Sequence, residues 1–134
     1  MSEQPSGPID LGNSIVGFDR GGDAREIESV PGPPPRIDGF TVGAPTLTRE
    51  PPHAGEMHPD GDELLYLISG RLTVVLEDQE PPRQVEMTPG QALIVPRGVW
   101  HRVLLGEPSQ LVHVTPGPGG EHRPLGSHGS GQPD

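Results

Sequence analysis

The strongest hydrophobic signal lies in the middle of the chain. Residues 64–68 (LLYLI) form a short apolar run, and residues 71–77 (RLTVVLE) have the β-branched, alternating character of a strand. Ser69-Gly70 between them reads as a turn, which predicts a hairpin. After a polar loop over 78–82, residues 83–87 form a further short strand. Thr88-Pro89-Gly90-Gln91 places Pro and Gly where a type II turn needs them. Strands over 92–95, 101–105 and 110–115 complete the series.

Upstream, the pattern is less regular. Residues 40–47 carry Phe40, Val42 and Leu47 but are interrupted by Gly43 and Pro45, so one bulged strand is expected. Residues 15–18 suit a short strand, and residues 23–30 suit either a helical turn or an edge strand. The proline-rich stretch 30–35 is extended and cannot be a central strand. No amphipathic helix is visible, and strands recur roughly every eight to twelve residues, which predicts an all-β sandwich or barrel. The expected organisation is an N-terminal arm over 1–35, partly disordered, a β-barrel over 36–116, and a flexible C-terminal tail over 117–134.

Composition agrees with short strands and turns, since Gly and Pro number 20 and 19 among 134 residues. Aromatic residues are few, so the core must be built from Leu, Val and Ile. The net charge of −10 argues against nucleic acid or an anionic membrane surface as a partner, because both require a basic patch. With no cysteine, disulfides and thiolate metal sites are excluded. The N-terminus shows neither a basic start nor an apolar run, and no apolar run is long enough to span a bilayer, so a cytoplasmic location is expected.

Two stretches carry chemistry. In residues 56–70 (EMHPDGDELLYLISG), Glu56 and His58 are two apart and share one face of a strand. Pro59, Asp60 and Gly61 supply a turn, after which Glu63 opens the next strand. This geometry can direct one imidazole and two carboxylates to one point, which is most of a metal site. In residues 90–101 (GQALIVPRGVWH), His101 follows a second turn and supplies a further imidazole. Metal ligands are therefore expected at Glu56, His58, Glu63 and His101. Glu56 has two other readings, as a hydrogen-bond acceptor beside the ligands or as a general base. His53 has the wrong strand parity relative to His58 unless Gly55 makes a bulge, and reads as a loop residue.

Together the two stretches resemble the paired signature of the cupin superfamily. Its first motif, G-x5-H-x-H-x3,4-E-x6-G, is matched at His58, Glu63 and Gly70, with Glu56 in place of the first histidine. Its second, G-x5-P-x-G-x2-H-x3-N, is matched at Gly90, Pro96, Gly98 and His101. The leading glycine of the first motif and the final asparagine of the second are replaced by Glu50 and Leu105. The resemblance implies a small single-domain cupin with a double-stranded β-helix, or jelly-roll, barrel. It further implies one divalent metal ion and a small organic ligand in the barrel. By analogy with the family, the N-terminal strand would pair with a second subunit in a homodimer.

A sulfur-free set of imidazoles and carboxylates suits Fe, Mn, Ni or Zn, and two histidines with one carboxylate form the set of non-haem Fe(II) oxygenases. An oxygenase-type enzyme, with Fe(II) the favoured ion, is the resulting expectation. The alternatives are a non-catalytic small-molecule-binding cupin and a metal-dependent isomerase, decarboxylase or lyase. Alternation places Leu65 and Leu67 on the face of Glu63, and Val103 and Leu105 on that of His101, as an apolar cavity lining. His113 shares the face of Leu111 and Thr115, whereas Tyr66 faces away. Arg97 is read as a solvated loop residue or a substrate partner, Trp100 as core packing or a shield for the site, and residues 121–123 as tail or lid.

Overall fold

The computed structural model of the protein describes residues 7–28, 35–51 and 53–124. Within them are ten strands and no helix, hence none long and apolar enough to cross a membrane. The strands are β1 (Ser14–Asp19), β2 (Ala24–Glu28), β3 (Gly39–Gly43), β4 (Thr46–Leu47) and β5 (Gly55–Met57), then β6 (Glu63–Leu76), β7 (Arg83–Met87), β8 (Ala92–Val95), β9 (His101–Pro116) and β10 (Glu121–Arg123). Readings for residues 1–6, 29–34 and 125–134, including most of the proline-rich stretch and His128, lie outside the described residues.

Two long strands organise the sheet. β6 and β9 pair antiparallel from Leu64↔Val114 to Leu76↔His101. On its other edge β6 meets β8 through residues 63–66 and β7 through residues 72–76. β9 meets β5 at Glu56↔His101 and β3 from Gly43↔His113 to Phe40↔Pro116. One half-sheet therefore runs β10–β5–β9–β6–β7 and the other β2–β1–β3–β9–β6–β8. Leu65, Leu67, Val95 and Leu111 from the second half and Leu72, Val74, Leu76 and Met87 from the first fill one shared core. This is the expected all-β jelly-roll barrel, in which inward positions of two packed half-sheets alternate with outward ones.

The hairpin expected at Ser69-Gly70 does not form. β6 runs through both residues, and its register against β9 slips between Leu67 and Leu72. Gly70 has φ 92°, and a Cβ there would collide with Ser109 Oγ and the Pro108 carbonyl. It thus marks a bulge and a bend, not a chain reversal. The inward set changes parity across it, from Glu63, Leu65 and Leu67 to Leu72, Val74 and Leu76. Extra residues on one strand do this because the side-chain period is two. The bend lets one strand serve both half-sheets, and Ser109 Oγ fastens it by accepting from Arg71 N at 3.0 Å.

Three other segments differ in detail from expectation. The strand expected over 40–47 is divided into β3 and β4 around Ala44-Pro45, since proline has no N–H for the ladder. The alternatives for 23–30 resolve to strand β2, which pairs with β1, and β1 pairs with β3 of the same chain. Within the stretch expected to be a flexible tail, Glu121–Arg123 form β10 and satisfy the free edge of β5.

Candidate functional site

The site is assembled where β5 lies between β9 and β10. Register sets Glu56 opposite His101 on one side and opposite His122 on the other. Gly55 permits this close crossing: its φ is 147°, and a Cβ there would stand 2.9 Å from Arg123 Nη2 and 3.3 Å from the His101 carbonyl. His58 follows β5, and its carbonyl accepts from Gly98 N at 2.9 Å, which ties the first chemical stretch to the second.

Four side chains named from the sequence converge here. Glu56 Oε1 lies 3.2 Å from His58 Nε2, which lies 3.5 Å from Glu63 Oε1. Glu63 Oε1 is in turn 3.0 Å from His101 Nε2. Glu56, His58 and His101 each offer a donor atom within 4.8 Å of the other two. His58, Glu63 and His101 are buried and Glu56 is half-buried.

The hydrogen bonds around this cluster assign its protons. His101 Nδ1 lies 3.1 Å from the Val99 carbonyl, which can only accept, so Nδ1 carries hydrogen. In a neutral imidazole the lone pair is then on Nε2, pointing at the Glu63 carboxylate. Thr115 Oγ1 donates to Glu63 Oε2 at 2.7 Å, and His113 Nδ1 donates to Thr115 Oγ1 at 2.9 Å. Both ring nitrogens of His58 are buried without a hydrogen-bond partner among the described residues. Lone pairs facing carboxylates in a buried site require a positive charge between them, either protons on the imidazoles or a metal ion.

The titration behaviour follows. Burial alone would push His58 down, but Glu56 and Glu63 outweigh it and push it up to about 9. His58 lacks the alignment of a formed hydrogen bond to either, so charge attraction is the main cause. His101 is raised as well, against its burial, by its hydrogen bond to Glu63 and by the carboxylate charges. Burial would raise Glu63, yet the two imidazoles hold it well below the usual carboxylate range. Glu56 is lowered for the same reason, through His58 and His101, despite burial. The residues fit a divalent cation: a bound ion would replace the protons that these carboxylates otherwise draw onto the imidazoles.

Other groups ring the outer side of Glu56. His53 Nε2 lies 3.8 Å from Glu56 Oε2, His122 Nε2 lies 3.9 Å from Oε1, and the two rings meet edge to face at 5.1 Å. Arg36 Nη2 stands 4.0 Å from Glu56 Oε1. His53 reads as a loop residue from strand parity, but the Gly55 conformation breaks the alternation and turns it toward Glu56. His122 arrives on β10, and Arg36 precedes β3 at a distance in sequence that no motif spans. Thr115 and His113 share the inner face of β9, as alternation predicts, but their link to Glu63 is a tertiary contact.

The remaining candidates are placed as follows. Leu65 and Leu67 belong to the packed core, and the partly buried Val103 and Leu105 pack against it. Arg97 is exposed, and its backbone N–H donates to Asp62 at 2.8 Å. Trp100 carries the Arg123 guanidinium over its ring at 4.3 Å, and Arg123 also pairs with Glu77, which pins β10 to the barrel.

Comparison with known proteins places these observations in a family. The Cupin domain family matches residues 47–115, a span that includes Glu56, His58, Glu63 and His101. No curated protein matches the sequence. Among solved structures, the chain is similar to a cupin-2 domain containing protein from Shewanella frigidimarina. The identity is 20% and the TM-score 0.49, covering 63% of this chain and 80% of that one. It is similar to hydroxypropylphosphonic acid epoxidase from S. wedmorenis at 17% identity and TM-score 0.48, covering 57% of this chain and 42% of that one. A mutant of Bacillus subtilis oxalate decarboxylase matches at 20% identity and TM-score 0.52, covering 62% of this chain and 23% of that one. This last likeness shows a shared fold alone. The chain spans less than half of the epoxidase and less than a quarter of the decarboxylase.

Proposed function

The chain belongs to the cupin family, and we propose that it binds one divalent metal ion through Glu56, His58 and His101, with Glu63 as fourth ligand, and acts on a small organic molecule as an oxygenase-type enzyme. The observation that carries this reading is the pair of buried imidazoles whose ring nitrogens face ionised carboxylates without a hydrogen-bond partner for His58. When bound, a divalent ion supplies Lewis-acid or one-electron chemistry toward an oxygen-bearing molecule. Two imidazoles with carboxylates and no sulfur suit Fe, Mn, Ni or Zn, and Fe(II) is the proposed ion because two histidines with a carboxylate are the ligand set of non-haem Fe(II) oxygenases.

The surrounding residues hold the ligands in a productive state. The Val99 carbonyl fixes the His101 tautomer so that Nε2 is free to ligate. The His113–Thr115 pair orients Glu63 through Oε2 and leaves Oε1 toward the imidazoles. Burial pushes His113 down, so it stays neutral and donates as this chain requires. β10 pairs with the outer edge of β5 and sets His122 beside Glu56.

The test is elemental analysis of the purified protein and of Glu56→Ala and His101→Ala. About one equivalent of iron, manganese, nickel or zinc is expected. It should be lost in His101→Ala and weakened in Glu56→Ala. A metal-free protein that takes up none of these ions on reconstitution would overturn the proposal.

A second part of the proposal is a homodimer. Phe18, Phe40, Leu64, Tyr66, Ile68 and Ile94, between 37% and 61% exposed, project from the outer face of one half-sheet. They are joined there across strands by Val16, Val42, Val112 and Val114. Its charged residues, Glu26 and Glu28, lie at the β2 edge opposite Val16 and Ser14, and an apolar face of this kind suits a two-fold pairing with a second copy.

A further inference from the structure

The buried guanidinium of Arg36 has no role in the fold described above. Its side chain is only 15% exposed, yet Nη1 is buried with no hydrogen-bond partner among the described residues. Its nearest carboxylate contact is Glu56, at 4.0 Å, beyond a formed hydrogen bond. A guanidinium offers five donors in a planar fork and stays charged, so leaving it buried and unpaired is costly unless a ligand completes it.

Its position says what the ligand would meet. The backbone of Gly120 lies between Arg36 and the candidate metal cluster: a Cβ there would be 3.8 Å from His58 Nδ1 and 3.9 Å from Arg36 Nε. Arg36 and His58 therefore flank the same glycine. His53 and His122, on the same side of Glu56, offer further donors or acceptors. Charge points the same way. A divalent ion would be neutralised by Glu56 and Glu63, and the Arg36 charge would then remain without a counter-ion.

We propose that Arg36 is the anchor for a carboxylate on the molecule bound at this site, so that the substrate class is small organic acids. The carboxylate would accept from the Arg36 fork while the rest of the molecule extends toward His58 and Glu56. This assignment rests on the metal-site reading only for the direction of the remaining groups; the anchor itself requires no metal.

The test compares glycolate with glycolamide, which match in size but differ in charge, on the full-length protein with and without Ni(II). Calorimetry is the readout, and metal content is measured separately. Glycolate is expected to bind at least about tenfold more tightly than glycolamide, the usual margin for a charge-assisted fork. Arg36→Met should lose about that factor while keeping its metal and its thermal midpoint, and Arg36→Lys should recover part of it. Should Arg36→Met unfold, Arg36→Gln replaces it in the same comparison.

Equal binding of glycolate by wild type and Arg36→Met would overturn the anchor, as would wild-type protein that binds glycolate in neither state. Binding of methylphosphonate without glycolate would overturn the carboxylate class. If no metal binds but Arg36-dependent glycolate binding persists in the metal-free protein, the metal reading fails and the anchor stands.

Discussion

The two ends of the barrel interior are equally buried and opposite in character. At one end Leu65, Leu67 and Leu72 are 4%, 0% and 1% exposed; at the other His58, Glu63 and His101 are 3%, 5% and 2% exposed. The apolar end removes hydrocarbon from water, which stabilises the fold by about 1.5–3 kcal/mol for each large side chain. The polar end does the reverse. Its carboxylates and imidazoles lose hydration, and their mutual attraction offsets that loss without exceeding it by much. Equal burial therefore does not mean equal purpose: one end holds the barrel together, and the other is tolerated because the barrel is strong enough to enclose it.

The largest effect should come from the apolar end. Leu67→Ala is expected to lower unfolding stability by about 2–5 kcal/mol, since a fully buried leucine leaves a cavity at the centre of the core. Urea denaturation measures this, and metal content per folded molecule should be unchanged. Loss of metal in folded Leu67→Ala would show that the two ends are coupled and break the comparison.

The polar end should respond to pH instead. His58, raised to about 9 in the metal-free fold, contributes stability that is full below its ordinary value of about 6.5 and is lost as pH rises through about 9. Glu63, held low, contributes stability that is present above its ordinary value of about 4.3 and is lost as pH falls through its folded value. Metal-free protein should thus lose on the order of 2–3 kcal/mol between pH 6.5 and 9.5. Metal affinity should rise over the same range, because the ion displaces the proton. Thermal melts and metal titrations across this range test the pair. A metal-free midpoint that does not fall would mean that His58 is not held protonated by Glu56 and Glu63.

The smallest stability effect is expected on the outer face. Ile94→Glu, at a position 61% exposed, should change monomer stability by less than about 0.5 kcal/mol. It should nevertheless convert a dimer to a monomer in light scattering, because a charge within an apolar contact is desolvated without a partner. Wild-type protein that is already monomeric would sink the dimer proposal and leave the barrel comparison intact.

Much of this molecule was readable before its structure. The alternation over 63–67 placed Glu63 on the leucine face, and the Glu56–His58 spacing placed those two side chains on one face of the chain. Turn residues at 88–91 and 96–98 set the approach to His101. These features are local, governed by the two-residue period of a strand and by the conformations open to Gly and Pro. They were enough for an all-β barrel and for nominating Glu56, His58, Glu63 and His101, which the fold brings together.

What required the tertiary structure depended on strands distant in sequence. Ser69-Gly70 has turn composition, and whether it reverses the chain or bends it depends on the Ser109 and Pro108 backbone packed against Gly70. His53 and His122 approach Glu56 only because β5 is clasped between β9 and β10. Arg36 reaches the same place from outside the sheet. Strand pattern reports which face a side chain takes, but it carries no information about which other strand that face will meet. The barrel's register decides that, by bringing the polar groups of the cluster together and leaving Arg36 Nη1 beside them without a hydrogen-bond partner among the described residues.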